Sequence, residues 1–267
     1  MQLFHHPLSL DSQKVRLALE EKGIDYTSHR LNPLTGKNMD PSFFRVNPSS
    51  KLPVFQNGSH IIFSTIEIVQ YIERIAKVSS SGDGNKINDI EVNKWMKKIE
   101  GWNSDIFTMS HIPEKYRLFV SKFVRRVVIA RMAESPDIAN AYHLKLKEAY
   151  EIEEQLKDLD VLKSSEEHLL ELLDEVEKQL SEKAYVAGDE YTMADTMLIP
   201  VLALIELLEL EDKYILVRPR IAGYWKVVKR RPSYNTVIGK YFSGWRKYRT
   251  LSKTWFFLRI RSILRRY

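Results

Sequence analysis

Residues 51–65 bring a lysine, a proline and two hydroxyls together at spacings that suit a small polar ligand. Lys51-Leu52-Pro53-Val54-Phe55 reads as a strand opened by a proline, where a missing N–H is tolerated. Asn57-Gly58 between two apolar runs is a hairpin signal. Ile61-Ile62-Phe63 is the returning strand. Ser64-Thr65 then places hydroxyls at the start of a helix through Ile68, Val69 and Ile72, a natural anion site. Two further hydroxyls, Ser9 and Ser12, lie in a turn before a second helical pattern. Each could cap that helix or serve a ligand.

The elements that must position these groups follow from periodicity. Gln2–His6 is strand-like and Pro7–Ser12 is a turn. Residues 14–22 have helical spacing that Gly23 stops, and Ile24–Leu31 reads as a second strand. The order β-α-β, then β-β-α, is a thioredoxin-like layout.

Several segments resemble a glutathione transferase: Pro7–Gly23, Asn-Pro-Ser-Ser-Lys-Leu-Pro in Asn47–Phe55, Ser64–Ile72, Gly188–Asp195 and Arg231-Pro232-Ser233. Their order and spacing carry the likeness, which covers about residues 1–240 and is nearest to the plant tetrachlorohydroquinone-dehalogenase-like class. The resemblance implies an α/β thioredoxin-like N-terminal domain over residues 1–77 and a linker over 78–88. An all-α acceptor-substrate domain over 89–239 and an added tail over 240–267 would follow.

It also implies glutathione as co-substrate and a hydrophobic electrophile as acceptor. A hydroxyl and a helix N-terminus favour a thiolate over a thiol. The resemblance puts that role on Ser9, as hydrogen-bond donor to sulfur, with Ser12 as the alternative. It implies a cis Pro53, with the Leu52 backbone pairing with the cysteinyl unit, and Lys51, helped by Lys37 or Asn38, at the glycine carboxylate. Thr65 would hold the γ-glutamyl carboxylate. Ser64 stands where the family carries an acid, so the glutathione amine loses a charged partner there unless Glu67 supplies one.

Other candidates have ordinary structural readings beside the functional one. Trp102, Tyr116 and Phe119 could line an apolar acceptor pocket, or belong to the core. His5 and His6 flank the proposed site. No cysteine is present, and no third clustered ligand joins the histidines, so neither a metal nor exchange through an enzyme thiol is expected. Thr192-Met-Ala-Asp195 reads as a capping box.

The 267 residues carry a net charge of +6. His5, His6 and Asp11 interrupt any N-terminal apolar run, so no secretory signal is expected, and the location expected is cytoplasmic, with peripheral contact at the plasma membrane. Lys77–Asn85 is linker-like. Beyond it the pattern is helical, with charged pairs such as Lys147 and Glu151, a helix start at Ser164-Ser165 before Leu169–Leu180, and an apolar helix over 196–210.

The tail holds nine basic residues, from Lys240 to Arg266, and no acid, so the rest of the chain sums to −3. Phe256, Ile260, Ile263, Leu264 and Tyr267 form an apolar stripe, the pattern of a helix lying on an anionic membrane. Docking on its own domain is the competing reading, and no nucleic-acid partner is expected. A homodimer is compatible with the family resemblance. Two function classes result: a glutathione transferase, or a non-catalytic, membrane-associated ligand-binding protein on the same fold.

Overall fold

The computed structural model describes residues 1–79 and 89–242. Most of the expected linker and the tail from residue 243 onward lie outside these residues. The chain begins with β1 (Gln2–His5), α1 (Leu10–Glu21) and β2 (Thr27–Arg30). Two short 3-10 turns and α2 (Pro41–Phe44) lead to β3 (Val54–Asn57), β4 (His60–Ile62) and α3 (Thr65–Ser79). The sheet order is β2-β1-β3-β4, with β1 parallel to β2 and both other pairings antiparallel. The β3–β4 turn closes through Gly58 at φ 60°, a conformation glycine adopts without steric cost.

The helical part contains α4 (Asp89–Glu100), α5 (Ser104–Ser110), α6 (Glu114–Glu134), α7 (Ala139–Gln155) and α8 (Leu159–Glu182). It continues with α9 (Met193–Leu207), α10 (Glu211–Tyr214), α11 (Pro219–Val228) and a helical run over Pro232–Phe242. Helix α9 is apolar almost all round and buried, as a helix central to a core must be. Helix α1 packs on α3 and on α9, so Val15, Leu19, Ile68, Ile72 and Leu198 share one core across sheet and helices. Polar ties reinforce that contact. Lys14 on α1 pairs with Glu100 at 2.8 Å, and Arg231 grips Glu21 at 2.6 Å.

Three sequence expectations shift. Helix α1 begins at Leu10, a turn before Lys14, because Ser9 caps it. The second strand shortens to Thr27–Arg30. Ser164-Ser165 does not start a helix. Asp158 caps α8 earlier, accepting from Asp160 N at 2.9 Å, and the buried Ser165 hydroxyl donates to the Asn103 carbonyl instead. A serine pair resembles a cap in sequence, but the residue whose oxygen reaches the free N–H groups decides.

Candidate active site

Topology gathers the candidate residues at one end of the sheet. The C-terminal ends of β1, β2 and β4 and the N-terminal end of β3 meet there, as Phe4 opposite Val54 and Phe55 opposite Ile62 require. Ser9 follows β1, Leu52-Pro53 precedes β3, and Ser64-Thr65 follows β4. Both α1 and α3 therefore point their N-termini, with unpaired N–H groups and positive dipole ends, at this edge.

Ser9 is the N-cap of α1. Its Oγ accepts from Ser12 N at 3.3 Å and donates to the Leu52 carbonyl at 3.5 Å. Both contacts are long and the side chain is only partly buried, so the hydroxyl proton can turn to another acceptor. The turn beneath is fixed: Ser9 N donates to the His6 carbonyl at 3.1 Å, and the buried Gln13 amide donates to the Pro7 carbonyl at 2.9 Å. Ser12, offered by sequence as a possible cap, lies inside the helix, fully buried, its Oγ accepting from His6 N. The Leu52-Pro53 bond is cis.

Residues 33–51 form a loop beside this edge. The Asn38 amide donates to the Ser50 carbonyl at 2.9 Å, and the Asn47 amide donates to the Lys51 carbonyl at 2.8 Å. The Oδ1 of Asn38 is buried without a hydrogen-bond partner among the described residues. Lys51 is exposed, and Lys37 extends into solvent beside Asp40, its partner at 3.1 Å.

At α3, Ser64 is the cap, its exposed Oγ accepting from Glu67 N at 3.4 Å, while Thr65 behind it is buried. Glu67 stands in the first turn. Ser64, Glu67 and Gln70 also line a cavity of about 880 Å³ between β4, α3 and α4, which does not reach Ser9.

Three sequence candidates have structural partners. Trp102 is core, its indole donating to the Ser165 carbonyl at 3.1 Å and its ring set against Phe107. Phe119 stacks on Phe123 within a small core under α6 and α7. His5 is buried against Ser28, at 2.7 Å, and burial, with Arg16 and Arg30 nearby, pushes its pKa down to about 3. The Tyr116 side chain is outside the described residues. Spacing along a helix cannot separate a core face from a pocket face, which explains Trp102 and Phe119.

The sequence reading missed a charged cluster near α1. Lys14 is buried between Asp11 at 2.9 Å and Glu100 at 2.8 Å. Burial opposes its charge, but the two carboxylates outweigh that and hold it above the usual lysine range. Asp105 on α5 has a raised pKa, first from burial and then from the charge of Asp11, with Lys51, Lys145 and Lys14 pulling the other way. An i,i+3 pair such as Asp11 and Lys14 was the available signal. Among the described residues, no group of three or more His, Cys, Asp or Glu could hold a metal ion, and no helix is long and apolar enough to cross a membrane.

Comparison with known proteins fits this geometry. The glutathione S-transferase N-terminal domain model matches residues 9–75, and the C-terminal domain model matches residues 147–226. Glutathione S-transferase TCHQD of Arabidopsis thaliana is 64% identical over 267 residues, all of both chains. Tetrachloro-P-hydroquinone reductive dehalogenase of Sphingobium chlorophenolicum is 27% identical, over 88% of this chain and 94% of its own. The crystal structure of glutathione transferase F7 from Populus trichocarpa superposes with a TM-score of 0.63 at 20% identity, covering 89% of this chain and 97% of that one.

Proposed function

Because the chain belongs to the glutathione S-transferase family, in its TCHQD-like class, we propose that it ionises glutathione at the N-terminus of α1 and passes the sulfur to a hydrophobic electrophile. The Ser9 hydroxyl swings from the Leu52 carbonyl to donate to the sulfur. That bond and the positive end of α1 stabilise the thiolate, and the proton leaves to solvent. The sulfur lone pair then forms the new C–S bond, while the acceptor's leaving group, or electron pair, departs. Proximity and thiolate stabilisation supply the rate, with no enzyme base.

Lys51, Lys37 and Asn38 take the glycine end of glutathione, the Leu52 backbone takes the cysteinyl unit, and Ser64 and Thr65 take the γ-glutamyl end. The observation that carries this reading is the weakly committed Ser9 hydroxyl at a helix N-terminus beside Leu52. Ser9→Ala compared with Ser12→Ala in a conjugation assay tests it. Loss confined to Ser9→Ala supports the assignment, and loss confined to Ser12→Ala sinks it. A chain without cysteine leaves no route through an enzyme mixed disulfide, so a transfer of the dehalogenase type that needs an enzyme thiol is not part of this proposal. A calorimetric titration with glutathione that shows no binding would favour the ligand-binding alternative.

The basic tail supports a second element, contact with an anionic membrane surface at the cytoplasmic face. Liposome co-sedimentation of the full chain and of one ending at Gly239, at low and high salt, tests it. The full chain should bind anionic vesicles and release them as salt rises, and the short chain should not bind.

A further inference from the structure

The loop of residues 36–51 carries Lys37, Asn38 and Lys51, yet its only regular pieces are one 3-10 turn and the four-residue α2. What holds it in place is the α6–α7 hairpin. Tyr142 on α7 is fully buried, its hydroxyl donating to the Met39 carbonyl at 2.8 Å and its ring stacked on Phe44 at 4.0 Å. Met39 and Phe44 share a small core with Phe123, Val127, Val128 and Tyr142. Loop and hairpin thus bury one apolar surface between them, separate from the main core.

Charged ties surround this core. Arg131 pairs with Asp40, and Arg45 pairs with Asp137 at 2.9 Å. The Lys145 ammonium donates to the Ser49 carbonyl at 2.9 Å and to Glu148 at 2.9 Å, on a side chain only 14% exposed. Helix α6 comes so near that a Cβ on Gly36 would sit 3.0 Å from Val127 Cγ1. Every hairpin residue named in contact with the loop falls between residues 75 and 147, the gap between the two stretches that the family models match.

We propose that the α6–α7 hairpin is a clamp on the glutathione-binding loop, and that Lys145 is a positioning residue which, through the Ser49 carbonyl, sets Lys51 for the carboxylate end of the tripeptide. This rests on the glutathione reading above. The charges of Lys145 and Lys51 both act on Asp105. Ser9 is held differently, by α1 on the main core. The clamp therefore governs glutathione binding and leaves sulfur activation alone.

The test is a split between KM and kcat in the full chain. Lys145→Met keeps the aliphatic stem and removes the donor. It should raise the KM for glutathione roughly five- to tenfold, with kcat and the acceptor KM within about twofold of wild type. Lys145→Arg should restore the glutathione KM. Tyr142→Phe keeps the ring stack, loses the bond to Met39, and should speed amide hydrogen exchange in residues 36–51 while raising the same KM. An unchanged glutathione KM in both variants, or a parallel fall in kcat with no change in KM, overturns the clamp. Calorimetry separates the two levels. If wild type does not bind glutathione, the underlying reading falls and takes the clamp with it. If wild type and Lys145→Met bind equally well, the clamp alone falls.

Discussion

Two helix N-termini in this molecule use the same chemistry to opposite ends. At α9, the Thr192 hydroxyl accepts from Ala194 N, and the fully buried Asp195 carboxylate accepts from Val186 N, Thr192 N, the Thr192 hydroxyl and the Tyr224 hydroxyl. Nothing there is left to offer a ligand. At α1, the Ser9 hydroxyl makes two hydrogen bonds among the described residues, both at or beyond 3.3 Å, and part of the residue meets solvent. A saturated cap stabilises the fold, whereas an under-used one is available for chemistry.

Removing each cap should therefore hurt a different property. The largest effect is expected from Asp195→Ala, which strands four buried donors. Each orphaned group costs about 1–3 kcal/mol and neighbours share the loss, so a total of about 4 kcal/mol and a fall in Tm of roughly 10 °C are expected. Thermal denaturation checks this, and activity per folded molecule should hold. Ser9→Ala should do the reverse. Losing a hydrogen bond to a thiolate costs about 1.5–3 kcal/mol, a drop in kcat/KM of roughly ten- to a hundredfold, while the lost cap lowers stability by only about 1 kcal/mol. If Ser9→Ala costs stability and spares the rate, the contrast collapses.

The contrast extends to pH. Burial raises Asp195 to about 6, from an ordinary 3.8, so its contribution to stability is complete at low pH and is lost as pH rises through 6. Burial lowers His5 to about 3 and His6 to about 4, so theirs is complete above 6.5 and is lost as pH falls toward 4 and 3. Between pH 6 and 4 the two histidines each remove about 1.4 kcal/mol per pH unit, and Asp195 returns the same amount. Asp195→Asn deletes the compensating group. The acid-side slope of stability, read from urea melts, should steepen by about 1.4 kcal/mol per pH unit relative to wild type. Equal slopes would show that Asp195 stays ionised throughout.

The contrast also shows what a sequence reveals. Pro7–Gly23 and Lys51–Thr65 were legible because turns, caps and a proline before a strand are local chemistry, settled within a few residues. The capping box was legible for the same reason. The start of α1 was not, since Ser9 and Ser12 both suit a cap and only the path of the turn, tied by Gln13 to Pro7, selects Ser9. Nor were the roles of Trp102 and Phe119, whose faces are set by distant partners, Ser165 for Trp102 and the small core with Met39, Phe44 and Tyr142 for Phe119. The grip of Tyr142 and Lys145 on residues 36–51 spans about a hundred residues, and no periodicity encodes it.

A third N-terminus, at α3, is intermediate and gives the smallest effect. Ser64 caps it at 3.4 Å from Glu67 N and is exposed, so the site is wet and its electrostatics are screened. Ser64→Asp keeps a good cap, because aspartate serves α-helix starts as well as serine does. It adds a carboxylate where the ammonium of glutathione would lie. An exposed ion pair is worth at most about 1 kcal/mol, so glutathione should bind roughly two- to fivefold more tightly, and the gain should fade as salt rises. Ser64→Ala separates cap from charge: it should weaken α3 slightly and leave affinity nearly level. If Ser64→Asp brings no gain and Glu67→Gln weakens binding, then Glu67, one turn into the helix, already serves the amine. The family's acid would then have moved three residues along the chain, with Ser64 keeping only the cap.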